Sequence, residues 1–111
     1  MIEIVPREIC LLQLANGDCP FEEWINGLRD TALQRAVDAR LTRIRDGNFG
    51  DHKSVGKGIY ELRVQIGPGY RIYYALNGNK VVILLCGGDK STQRRDIAKA
   101  QNYWKIYQNE S

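Results

Sequence analysis

The chain has 111 residues, 43% of them apolar and 26% charged, with a formal net charge of +3. That suffices for one domain spanning 1–111 and leaves no room for a second core; the composition is that of an ordinary folded soluble chain. The three cysteines, Cys10, Cys19 and Cys86, are odd in number and form no C-x-x-C pair, which argues against a disulfide framework and a structural zinc site.

Met1 to Val5 and Ile9 to Leu14 are predicted to be extended, with Pro6 as a break or edge position. The N-terminus has no basic leader, and the apolar run from Ile9 to Ala15 is too short to span a membrane, so a cytoplasmic protein is expected. Asn16-Gly17-Asp18 is a turn signal, and Pro20 sits where a first helical turn tolerates proline. Trp24, Ile25 and Leu28 then give a short amphipathic helix. A second helix is predicted from Thr31 to Asp46, with Leu33, Val37, Leu41 and Ile44 as its buried stripe. Thr31-Ala32-Leu33-Gln34 fits a capping box at its start, and Gly47-Asn48-Phe49-Gly50 ends it.

The following segment reads as a three-stranded antiparallel meander. Tyr60, Leu62, Val64 and Ile66 alternate with Glu61, Arg63 and Gln65, giving an apolar and a polar face. Gly67-Pro68-Gly69 turns the chain into a strand from Tyr70 to Leu76, and Asn77-Gly78-Asn79 turns it again. Val81 to Cys86 is apolar throughout, as suits a strand buried on both faces. A last helix from about Ser91 carries Ile97, Ala100, Trp104 and Tyr107 on one side. The expected architecture is α+β: a four-stranded, mainly antiparallel sheet with two N-terminal helices and a C-terminal helix.

Charge is unevenly spread. Residues 1–55 carry seven Lys/Arg against nine Asp/Glu, whereas residues 56–111 carry nine against four. A polyanion would therefore meet the C-terminal half, although a solvated basic surface has the same composition. Strand alternation places Arg63, Arg71 and Tyr73 on one face, and two facing guanidiniums repel unless an anion lies between them. A bridging phosphate fits, and so does simple pairing with Glu61. Gly87-Gly88-Asp89-Lys90-Ser91-Thr92 resembles a phosphate-binding turn, or else a tight connection whose Asp89 or Ser91 caps the helix. His52, the single histidine, lies in a polar loop, where such a residue is more often idle than catalytic.

Taken together, Gly47-Asn48-Phe49-Gly50-Asp51, Tyr60-Glu61-Leu62-Arg63, Gly67-Pro68-Gly69-Tyr70-Arg71 and Leu84 through Gln93 resemble the HigB-like addiction module killer branch of the RelE/ParE toxin superfamily. Trp24 and Leu28-Arg29-Asp30 resemble the start of that domain, and the likeness covers about residues 20–107. It implies the RelE-like fold and the toxin of a type II toxin–antitoxin pair, a ribosome-dependent mRNA endonuclease that inhibits translation. The chemistry implied needs no metal or cofactor: a 2′-hydroxyl attacks its own 3′-phosphate. The implied partners are a helix-turn-helix antitoxin, the ribosome and mRNA, with a toxin–antitoxin hetero-oligomer on operator DNA and no membrane. By position, Arg63 and Arg71 match basic residues of the site and Lys90 falls close to a further one; strand alternation and the turn are expected to bring the three onto one patch, with Lys53, Lys57, Arg94 or Arg95 at its rim. Glu61 stands where RelE-type members carry a lysine, and Asp96 about where they carry a tyrosine, so these two are candidate carboxylate bases. Tyr73 is a candidate RNA contact, and Tyr73 or Lys90 falls near the leaving oxygen. The superfamily also holds gyrase inhibitors of the ParE type, and a module that only binds RNA or antitoxin is the non-catalytic alternative.

Overall fold

The computed structural model describes residues 7–110, so the predicted extension from Met1 to Val5 lies outside the described residues. Strand β1 (Glu8–Leu11) precedes helices α1 (Pro20–Gly27) and α2 (Thr31–Arg45). Strands β2 (His52–Gly56), β3 (Ile59–Val64), β4 (Tyr70–Asn77) and β5 (Val81–Asp89) follow, and a 3-10 turn (Lys90–Thr92) leads into α3 (Gln93–Glu110). The sheet order is β1-β5-β4-β3-β2, with β1 parallel to β5 and every other pairing antiparallel.

The α+β class and the three helices match the sequence reading, but the sheet has five strands and is mixed. The additional strand is β2, whose five residues are almost wholly exposed on the sheet's edge and so show no apolar alternation. Its pairing with β3 is what makes it a strand: Lys53 faces Glu61 and Ser54 faces Tyr60.

Both sheet faces are covered. Leu62, Val64, Ile72, Tyr74, Val82 and Leu84 pack with Phe21 of α1 and with Leu33, Val37, Leu41 and Ile44 of α2. On the opposite face Ile59, Tyr73, Ala75, Ile83, Leu85 and Cys86 pack with Ala100, Ile97 and Trp104 of α3. Truncating a fully buried member such as Leu84 or Ile72 should cost about 2–5 kcal/mol. The register slips between Tyr73 and Tyr74, which face Cys86 and Leu84, so Leu85 is the extra residue of a bulge. Leu85 and Cys86 thereby share the α3 face, which ordinary alternation forbids.

Capping also differs from expectation. Asp30, not Thr31, is the N-cap of α2 and accepts from the Leu33 amide at 3.1 Å, because an Asp carboxylate one residue earlier reaches the free amides. The Gln34 side chain donates instead to the Ile25 carbonyl at the end of α1. Farther along α2, the Arg40 guanidinium donates to the carbonyls of Phe49, Asp51 and Arg63. It thus ties the loop before β2 to the end of β3. No described helix is long and apolar enough to cross a membrane.

Candidate functional site

Arg63 and Arg71 are direct cross-strand partners on β3 and β4, and Glu61 and Tyr73 form the neighbouring pair on the same face. Like charges in such a pair need a counter-ion, and Glu61 supplies it. Its Oε1 lies 3.3 Å from Arg63 Nε and its Oε2 3.5 Å from Arg71 Nε. Tyr73 Oη donates to Oε2 at 3.1 Å, and Gln93 Nε2, from the start of α3, donates to it at 2.9 Å. Both arginines are engaged through Nε, the inner nitrogen of the fork, so the Nη nitrogens of Arg71 lie outside that contact. The Arg71 side chain is 14% exposed and that of Arg63 33%, at the edge of the α3 contact.

Glu61 itself is 0% exposed. Burial alone raises its pKa, but the hydrogen bonds from Gln93, Tyr73 and Arg63, with the charge of Arg71, outweigh burial and hold it below the ordinary value. Glu61 is therefore an ionised anchor between two guanidiniums. Tyr73 is equally enclosed, and burial together with the Glu61 charge pushes its pKa up, so its proton stays on the hydroxyl. Read from sequence as an RNA contact, Tyr73 points into the core, because α3 covers the face that alternation marks only as polar.

Asp96 is 5% exposed and accepts from the Thr92 hydroxyl. Its carboxylate lies over Gly88, the register partner of Arg71: a Cβ on Gly88 would meet Asp96 Oδ2 at 1.8 Å. A Cβ on Gly87 would meet the Trp24 ring at 2.3 Å. The paired glycines thus admit the protein's own side chains, one from each layer of helix. Asp89 accepts from the Ser91 amide at 2.8 Å and from its hydroxyl, so a resident carboxylate caps this turn where an anion was one expectation.

Lys90 is exposed, and its amide donates to the Gly69 carbonyl at 3.2 Å, which brings it to the turn preceding Tyr70 and Arg71. Lys53 is exposed on the edge strand in the row of Glu61 and Tyr73. Arg94 and Arg95 are exposed on the first turn of α3. Lys57 sits apart, in the β2–β3 turn against α3. Sequence reasoning missed Gln93 and Asp51: Gln93 grips Glu61, and the Asp51 carbonyl accepts from the Arg63 amide at 3.0 Å. Both end stretches that carry the family likeness, but nothing in those stretches marks either as a partner of the Arg63–Glu61 pair.

A cavity of about 530 Å³ opens behind Asp96, walled by Trp24, Leu28, Gly87, Arg95, Lys99 and Tyr103 among others. Cys86 lines it too, but burial and the nearby Asp96 push that thiol up to about 12, which leaves it protonated and unreactive.

Residues 23–105 match the family described as phage-derived protein Gp49-like (DUF891). An uncharacterized protein of Haemophilus influenzae is 48% identical over 81 residues, covering 73% of this chain and 82% of its own. No solved structure matches the chain. The matched stretch runs from α1 through most of α3 and includes the whole arginine site, and the chain belongs to the phage-derived Gp49-like family.

Proposed function

We propose that this protein is the toxin of a type II toxin–antitoxin pair and a ribosome-dependent mRNA endonuclease of the RelE/HigB kind. The observation that carries the reading is the Arg63–Glu61–Arg71 cluster: two guanidiniums side by side on a rigid sheet, oriented through Nε by one buried carboxylate. Attack of a 2′-hydroxyl on the adjacent phosphate forms the P–O2′ bond, gives up the hydroxyl proton to solvent water and breaks P–O5′, and negative charge grows on the phosphoryl oxygens between. Fixed guanidinium donors answer that charge without reorganising. Arg71, the more enclosed of the two, is the principal donor, and Arg63 completes the clamp.

In this reading Glu61 is a positioning residue, since its oxygens already accept from Arg63, Tyr73 and Gln93 and pair with the charge of Arg71. Asp96 is similarly occupied by Thr92. Lys90 is exposed at the same end of the sheet and protonates the departing 5′ oxygen. The cognate helix-turn-helix antitoxin covers this basic end.

The test is cleavage of mRNA programmed on ribosomes. Arg71→Ala should fold and bind antitoxin yet lose on the order of 10²–10³ in cleavage rate. Full cleavage by Arg71→Ala overturns the phosphate site. A wild-type protein that leaves mRNA intact and blocks gyrase supercoiling instead overturns the reading as a whole.

A further inference from the structure

The turn between β2 and β3 holds a lysine in an unfavourable backbone position. Gly56 pairs with Ile59, so Lys57 and Gly58 form a two-residue loop, with φ of 55° and 80°. Asn-Gly fills such a loop with least strain, and a lysine at its first position is held there against local preference. Lys57 is exposed and lines a groove of about 400 Å³ together with Gln101, Asn102, Trp104 and Lys105 of α3. Gly58, next in the turn, lies close to Trp104: a Cβ there would meet the indole Nε1 at 3.2 Å. No acidic residue lines this groove, and among the described residues neither lysine has an ion-pair partner.

The same helix face leads back to the arginine site. Arg94, Ala98, Gln101 and Lys105 follow one another at spacings of four, three and four, which is a single stripe along α3. Ala98 belongs both to the groove and to a neighbouring depression lined by Thr92, Arg94 and Arg95. From Arg94 to Lys105 the helix rises about 16 Å. The stripe therefore begins one residue from Gln93, which holds Glu61, and ends at Lys57.

We propose that this face of α3 is a second RNA contact, which takes a single-stranded segment away from the cut phosphate. Arg94, Lys57 and Lys105 meet phosphates, Gln101 and Asn102 meet base edges, and the half-buried Trp104 offers its indole to a nucleobase. Cationic grooves edged by an aromatic surface are how single strands are held without strong sequence preference. A lysine at a strained turn position is what separates this face from a merely solvated helix: local folding favours asparagine there, and a polyanion favours lysine. The proposal rests on the RNA-cleaving reading and adds to it a grip on substrate outside the reacting site.

The experiment titrates Lys57→Asn, Lys105→Gln and the double variant with a fluorescent 2′-O-methyl RNA oligonucleotide, which has no 2′-hydroxyl to attack. Each lysine removed should weaken binding and lower the slope of log affinity against log salt by about 0.7. Lys57→Asn should at the same time raise Tm, and the single strand should bind more tightly than its duplex. Unchanged affinity and slope in the double variant overturn the proposal even if the wild type cuts mRNA. A Lys57→Asn variant that loses Tm along with binding also overturns it, since the lysine is then structural. Lysine-dependent binding by a wild type that cuts nothing supports the contact and counts only against the cleavage reading.

Discussion

Glu61 holds the arginine site together, and its ionisation links the site to pH. Its folded-state pKa lies below the ordinary value of 4.5, through hydrogen bonds and charge that exceed the effect of burial. A depressed carboxylate stabilises the fold fully above its unfolded pKa, and that contribution is lost as pH falls through the lower folded value. Tm should therefore drop on acidification below 4.5, and Glu61→Gln should flatten that limb. At neutral pH the same substitution should cost roughly 1–3 kcal/mol, because two guanidiniums lose their common partner. In the cleavage assay Glu61→Gln should lower the rate without changing the shape of the pH profile; a lost ionisation in the profile would make Glu61 a base instead. Period-two alternation was enough to put Arg63, Arg71 and Tyr73 on one face. It carries no information on what covers that face, and so the enclosure of Glu61 and Tyr73 under α3 was not legible.

The elements meet most tightly where β5 runs between α1 and α3. Gly88→Ala would drive a Cβ into the Asp96 carboxylate and displace the first turn of α3, with an expected loss of about 1–3 kcal/mol on chemical denaturation. Amide exchange should accelerate at Gln93 to Ala98 in that variant, and unaltered exchange there would show that the helix does not depend on the glycine. Arg40 makes a comparable link on the other face, where its fork serves three carbonyls. Arg40→Lys keeps the charge but cannot reproduce the fork, so the loop at Phe49 to Asp51 should loosen and Tm should fall by a few degrees, on the order of 1 kcal/mol. Helix positions, the β3–β4–β5 meander and the buried run of β5 were all readable from apolar spacing. Strand β2 was not, since an exposed edge strand has no apolar face to alternate, and neither was the bulge at Leu85, which one inserted residue creates without a compositional mark.

At the level of the whole molecule, the excess of basic residues after Lys57 coincides with the sheet end and the helix face that carry the proposed RNA contacts. If the proposed antitoxin covers that end, its binding should weaken as salt rises, and a salt-independent affinity would mean that neutralisation does not proceed by masking charge. The parallel pairing of β1 with β5 brings together Glu8 and Val81, and Leu11 and Leu84, each pair 73 positions apart in the chain. The family match starts only at residue 23, beyond this strand. Contacts of such sequence separation are made late, after the local hairpins have formed. Ile9→Ala, which trims a side chain packed against the α1–α2 core, should accelerate unfolding and leave the refolding rate nearly unchanged. Although β1 is synthesised long before β5, it docks late, so each new chain passes through a stage in which the outer edge of β5 is bare. The protein's own N-terminal strand is then in a race with any other extended segment for that edge.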